Sequence, residues 1–222
     1  MEAAKEMNSK SNPITLYMSP GSCSRVTVNA LEEARLVYEL RVIDLRANEQ
    51  HSADYLAVNP KGKVPALSFA GHVLTENPII LCWIDRYCPQ AQILPDEEGL
   101  GIPRGLIDLV WCASSLHPMV RQIHLPSRFT DGETDGIRRD GMNKFAFEMQ
   151  RISNRLAHQP WWYGDRWSIV DVYLHWLYSM AAGAGFSLSA YPAIADHGER
   201  VMNRESFTRS LERENNASQR RL

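Results

Sequence analysis

Residues 14–36, ITLYMSPGSCSRVTVNALEEARL, decide the fold. Ile14–Met18 is short and apolar and is bounded by Pro13 and by Ser19-Pro20-Gly21, so it reads as a strand. Ser24–Leu36 then sets Val28, Leu31 and Leu36 at helical spacing, with Glu32, Glu33 and Arg35 on the other side. Tyr38–Leu45 alternates apolar and polar residues and predicts a half-buried strand. A strand, a helix and a strand in this order give parallel strands joined by a right-handed crossover.

Working outward, Asp54–Val58 reads as a helical turn that runs into the loop Asn59-Pro60-Lys61-Gly62. Pro65–Phe69 and His72–Leu74 flank Ala70-Gly71, a two-residue hairpin connection in which Ala is ill suited to positive φ. Thr75–Cys88 is helical, with Pro78 tolerated in the first turn. The order β-α-β, connector, β-β-α is the plan of a thioredoxin-like α/β domain. Pro89–Gly101, rich in Pro, Gly and acid, reads as a linker. Everything beyond it is helical: Leu106–Leu125, Gly136–Ala157, Ser168–Ala184, Ala193–Asn203 and Ser206–Glu214. The expected organisation is a flexible extension over 1–13, a thioredoxin-like domain over 14–88, a linker over 89–101, an all-helical domain over 102–214 and a mobile tail over 215–222. Pro118, inside the first of these helices, predicts a kink.

Composition limits the function classes. The chain has 222 residues, 44% hydrophobic and 23% charged, the profile of a globular protein, and a net charge of −2. No basic excess exists to drive binding to nucleic acid or an anionic membrane. Between Asp171 and Asp196 there is no charged residue, but His175, Gly183, Gly185 and Pro192 interrupt the stretch. It reads as a buried core helix followed by a loop rather than a membrane span. The start, MEAAKEMNSKSNP, has no apolar core, and four irregularly spaced cysteines point to a reducing compartment, hence a cytoplasmic protein. No cysteine pair has zinc-ligand spacing, so no metal is expected.

Three segments carry chemistry. Cys23 follows Ser19-Pro20-Gly21-Ser22 at the start of the first helix. Unpaired N–H groups and the helix dipole favour an anion there, so a thiolate fits; a small buried residue beside a cap fits as well. Pro65 opens a strand and cannot donate to its ladder. A cis Val64-Pro65 bond would leave the Val64 backbone to pair with a peptide-like ligand, whereas a trans bond makes a plain turn. Thr75-Glu76-Asn77-Pro78 opens another helix. Asn77 and the helix N-terminus offer donors for a carboxylate, and Glu76 a counter-charge for an ammonium. Capping by Thr75 with dipole compensation by Glu76 explains the same residues.

As an ordered set, SPGSCS, DYLAVNPKGKVPAL, LTENPII, WSIVDVYL and YPAIADHGERVMNRESF resemble the cytosolic glutathione transferases, from Ile14 to about Leu211. The first-loop Cys, NPKGKVPAL and SSLH are most similar to the bacterial beta class. The resemblance implies the glutathione transferase fold, a thioredoxin-like N-terminal domain followed by an all-α C-terminal domain. It implies a detoxifying enzyme that binds glutathione as co-substrate, a hydrophobic electrophile of aromatic type, and a homodimer. Cys23 then matches the catalytic Cys beside the glutathione sulfur, with Ser22 and Ser24 flanking it. Val64 matches the residue whose backbone pairs with the cysteinyl unit, and Pro65 the cis-proline. Glu76 and Asn77 match the pair that holds the γ-glutamyl head, with Asn a departure that keeps donor capacity. His117 matches the active-site His, although Pro118 replaces a basic residue after it. Ser168 and Asp171 match a folding N-cap box. A cysteine at position 23 equally suits glutathione-dependent thiol transfer, dehalogenation or ether cleavage. The competing reading is a non-catalytic ligand-binding or regulatory protein on the same fold.

Overall fold

The computed structural model describes residues 13–95, 102 and 104–219. The expected extension over 1–13 therefore lies outside the described residues except for Pro13, as do 96–101 of the expected linker and 220–222 of the expected tail. The chain divides into two compact units: the residues up to Ile93 together with those from Glu205 onward, and Leu94–Arg204.

The first unit is built on a four-stranded sheet of β1 (Ile14–Met18), β2 (Tyr38–Val42), β3 (Ala66–Phe69) and β4 (His72–Thr75), in the order β2-β1-β3-β4. β1 runs parallel to β2 and antiparallel to β3, with Leu16 opposite Leu40 on one side and Leu67 on the other. Ile14, Leu16 and Met18 of this central strand are fully buried. α1 (Ser24–Glu33) is the crossover between the parallel strands. It stops short of the predicted Leu36 because Arg35 turns to φ 51° and the Leu36 N–H closes back on the Leu31 carbonyl at 3.1 Å. β2 also ends early, at Val42, because Asp44 Oδ1 accepts the N–H groups of Arg46 and Ala47 and bends the chain away.

α2 (Ala53–Val58) leads into the 59–65 connector. Gly62 has φ 59°, and a Cβ there would stand 2.9 Å from His51 Nδ1, so this turn requires glycine. The β3–β4 hairpin turns at Ala70 (φ 48°) and Gly71 (φ 79°), the two positive values of a type I′ turn. Ala70 does adopt the unfavourable conformation that its position implied. α3 (Asn77–Tyr87) starts two residues later than predicted, because Thr75 still pairs with Ala66 in the sheet.

The second unit is helical. α4 (Arg104–Trp111), a π turn (Cys112–Leu116) and α5 (His117–His124) form one continuous run. Instead of a simple kink at Pro118, the helix widens: the His117 N–H reaches back five residues to the Cys112 carbonyl. Pro118 lacks an N–H and its ring would crowd the carbonyl four residues earlier, and the wider turn relieves that clash. α6 (Asp135–Leu156) buries Phe145, Met149, Ile152 and Leu156. α7 (Ile169–Gly183) is the charge-poor core helix, followed by α8 (Pro192–Met202). The capping box forms as expected, with the Ser168 N–H on Asp171 Oδ2 at 2.9 Å. Among the described residues, no helix is long and apolar enough to cross a membrane.

The last helix, α9 (Glu205–Gln219), departs from the expected boundaries. It continues to Gln219, where a mobile tail was expected from 215, and it belongs to the first unit rather than to the helical one. Reciprocal charges fix it on α1. Glu32 of α1 accepts from Arg209 Nε and Arg213 Nε, each at 3.1 Å, while Glu214 of α9 accepts from Arg25 Nη2 at 2.8 Å.

Candidate functional site

At one end of the first unit, the turn after β1, the head of α1, the connector before β3 and the head of α3 supply the predicted residues. Cys23 is the N-cap of α1 and is partly exposed. Its Sγ lies 3.7 Å from the Val64 carbonyl oxygen, so the two elements meet directly. The Val64-Pro65 peptide is cis, as the strand-opening proline allowed. Pro65 is buried and Val64 half-buried. The connector is fixed from behind: the Tyr55 hydroxyl and Asn59 Nδ2 both donate to the Lys63 carbonyl, at 2.6 and 2.7 Å. Burial pushes the Tyr55 phenol up to about 12, so it remains a donor throughout the neutral range.

The turn itself is tightly bonded. Ser22 Oγ donates to the Ser19 carbonyl at 2.7 Å, lies 2.9 Å from Ser24 Oγ and accepts the Ser24 N–H at 3.2 Å. The Arg25 N–H donates to the Ser22 carbonyl and the Val26 N–H to the Cys23 carbonyl. These are helix-start donors that the sequence left open for an anion. Their occupation leaves the helix dipole, rather than direct hydrogen bonds from residues 24–26, as their contribution to a charged sulfur.

Glu76 caps α3 with φ 70° and ψ 121°, a conformation sparsely populated for a residue with a Cβ and worth about 1–3 kcal/mol of strain. Its side chain makes no capping bond and is exposed, with Oε1 3.0 Å from Lys61 Nζ. Thr75 is not the cap, which removes the ordinary capping explanation for this segment. Asn77 is 5% exposed, and its amide is engaged: Nδ2 donates to the Cys23 carbonyl at 3.0 Å, and Oδ1 accepts from the Thr27 hydroxyl at 2.6 Å. Asn77 thus ties the head of α3 to the Cys23 turn through its side chain.

Sequence reasoning missed Glu214 and Arg25. Glu214 Oε2 accepts the Gly21 N–H at 3.1 Å, and Arg25 donates to both Glu214 oxygens. The partners are 193 and 189 residues apart, and no local pattern could have paired them.

The second unit holds His117, at the first turn of α5. Its Nδ1 is 3.5 Å from the hydroxyl of the buried Tyr173, and its ring meets Trp176 edge-on at 4.8 Å between centroids. Of the other cysteines, burial pushes the Cys82 thiol up to about 11 and raises those of Cys88 and Cys112. Among the described residues, no group of three or more His, Cys, Asp or Glu is placed to hold a metal ion.

Comparison with known proteins agrees with this geometry. The family model for the glutathione S-transferase N-terminal domain matches residues 12–86. The chain is 30% identical over 170 residues to glutathione S-transferase hmp2 of Hypomyces subiculosus, covering 72% of this chain and 78% of that protein. Among solved structures, the bacterial beta-class glutathione S-transferase of Sphingomonas chungbukensis matches with a TM-score of 0.79 and 30% identity, covering 90% of this chain and 98% of that one. A sphingomonad glutathione S-transferase complexed with glutathione matches with a TM-score of 0.80 and 29% identity, covering 90% and 98%. The sheet of the first unit, the helical remainder and a likeness that spans 78–98% of these relatives lead to one conclusion: the chain belongs to the glutathione S-transferase family.

Proposed function

We propose that this protein binds glutathione along the Cys23, Val64 and Glu76 surface and promotes attack of the glutathione thiolate on a hydrophobic, aromatic electrophile. The observation that carries the reading is the approach of Cys23 Sγ to the Val64 carbonyl, 3.7 Å apart beside the cis Pro65. The backbone of Val64 pairs with the cysteinyl unit of an extended glutathione, as a strand edge pairs with a peptide. That unit's amide N–H donates to the Val64 carbonyl, which sets the glutathione sulfur beside Cys23. Glu76 meets the γ-glutamyl ammonium, and the head of α3 at Asn77 meets its carboxylate. Ser22 and Ser24 shape the turn around the sulfur.

In the conjugation of an aryl halide, the glutathione thiol gives its proton to solvent. The thiolate forms the S–C bond, and the halide leaves with its bonding pair. Cys23 also suits thiol transfer, in which its thiolate attacks a disulfide that carries glutathione, expels the other partner as a thiol and forms a Cys23–glutathione disulfide, which a second glutathione thiolate resolves as oxidised glutathione. The reading includes a homodimer in the cytoplasm, the commonest form of small oligomer being a two-fold pair. Retention on immobilised glutathione followed by turnover with a model aryl halide tests the proposal. Retention with no turnover on a panel of electrophiles would make the protein a binder rather than an enzyme. Loss of thiol transfer but not of conjugation in Cys23→Ala would assign Cys23 to redox work alone. Light scattering at micromolar concentration tests the dimer.

A further inference from the structure

We propose that Glu214 is a positioning residue for the Cys23 turn, so that the C-terminal helix sets the geometry with which glutathione is bound. The inference rests on the glutathione reading above. The Glu214 side chain is 3% exposed. Its carboxylate takes the Gly21 N–H two residues before Cys23 and the Arg25 guanidinium two residues after it. One buried anion therefore brackets Cys23 from both sides. Asn77 fixes the Cys23 carbonyl from the opposite element, at 3.0 Å. Gly21 has φ 74°, so the turn that Glu214 holds is of a kind glycine adopts readily and that other residues resist.

Packing alone does not account for a glutamate here. A carboxylate taken out of water loses several kcal/mol of solvation, and an apolar side chain of similar size often packs as well or better. Nor is Glu214 needed merely to dock α9 on α1. Arg209 and Arg213 already bind Glu32 about seven residues further along α1, roughly 10 Å at 1.5 Å per residue. What Glu214 adds is the hydrogen bond to Gly21, and with it a fixed path for the chain into Cys23. The Arg25 charge near a helix start is unfavourable for the dipole, and the same carboxylate neutralises it.

The test uses the full-length chain and three variants. Glu214→Met keeps the bulk and removes the acceptor, and Arg25, 26% exposed, can then turn to water. Glu214→Gln keeps an acceptor for Gly21 without the charge. Arg209→Ala loosens the other end of α9. Glutathione affinity is measured by calorimetry, Gly21 amide exchange by NMR, and folding by thermal melts. Loss of one positioning hydrogen bond corresponds to about tenfold in affinity. Glu214→Met should weaken glutathione binding by about that factor and speed Gly21 exchange. Glu214→Gln should restore most of both, and Arg209→Ala should lower the melting temperature while leaving affinity unchanged. Wild-type affinity in Glu214→Met, or an equal loss in Arg209→Ala, would overturn the proposal. If the unaltered protein binds no glutathione, the glutathione reading fails, and Gly21 exchange in Glu214→Met against Glu214→Gln still decides whether Glu214 holds the turn.

Discussion

Asp171 offers the sharpest structural prediction. It has no exposed surface, and its carboxylate faces four donors: the Trp162 N–H at 2.7 Å, the Ser168 N–H at 2.9 Å, Ser168 Oγ at 3.2 Å and His197 Nε2 at 3.0 Å. On the other side of His197, the Tyr178 hydroxyl lies 3.1 Å from Nδ1. An Nε2–H tautomer of His197 donates to Asp171 and lets Nδ1 accept from the Tyr178 hydroxyl. Asp171→Ala removes the common acceptor of this network. Each buried donor left unpaired costs about 1–3 kcal/mol, but groups in one network do not add, and breaking a buried pair costs about 3–5. We expect a loss of about 4 kcal/mol. At about 2–4 °C per kcal/mol for a chain of this size, the melting temperature should fall by roughly 8–16 °C. Asp171→Asn retains one acceptor oxygen and should fall about halfway. Ser168→Ala keeps its backbone N–H on Asp171 and should cost about 1 kcal/mol. Differential scanning calorimetry with urea titration reads all three. A loss below about 1 kcal/mol in Asp171→Ala would refute the network.

Three further outcomes follow from other parts of the molecule. Glu76→Gln should weaken glutathione binding by at least about tenfold while the melting temperature stays nearly constant, since the exposed pair with Lys61 contributes about 0–1 kcal/mol; calorimetric titration with glutathione measures it, and unchanged affinity would remove Glu76 from the site. The Cys82 contribution to stability should be level below about pH 9 and fall between pH 9 and about 11, because the half-buried Cys82 keeps its proton up to about 11 while the unfolded thiol loses it near 9.0. Tyr55, raised to about 12, extends the fall; urea midpoints across this range test the slope, which Cys82→Ala should reduce. Gly141→Ala should destabilise by about 1–3 kcal/mol, because the new Cβ would stand 2.7 Å from Gln122 Cβ and 3.1 Å from the Met119 carbonyl across the α5–α6 contact; an unchanged melting temperature would contradict that packing.

Local pattern made most of the fold legible. β1, the hairpin at Ala70-Gly71 and the cap box at Ser168 and Asp171 each depend on neighbouring residues, and each formed where the pattern placed it. Element ends were less legible, because Arg35 stops α1 through a positive φ and Asp44 stops β2 through its side-chain oxygen, and periodicity reports neither. Two features depend on distance in sequence and were not legible at all. α9 joined the first unit because its Arg209, Arg213 and Glu214 match Glu32 and Arg25, about 180 residues upstream. The role of the Asn77 side chain was visible only when Thr27 and Cys23 stood beside it. The π turn before His117 lies between these cases: Pro118 signalled a disturbance of the helix but not its form.

In the proposed function, Cys23 beside Val64 marks the glutathione surface. Alkylation by iodoacetamide with peptide mapping, against pH and with and without glutathione, tests it most directly. Burial raises the thiols of Cys82, Cys88 and Cys112, whereas Cys23 stands at the head of α1, where the helix dipole favours a thiolate. Cys23 should therefore react first, and glutathione should suppress that reaction alone. Modification of Cys23 no faster than of Cys88, or at the same rate with saturating glutathione present, would contradict the account.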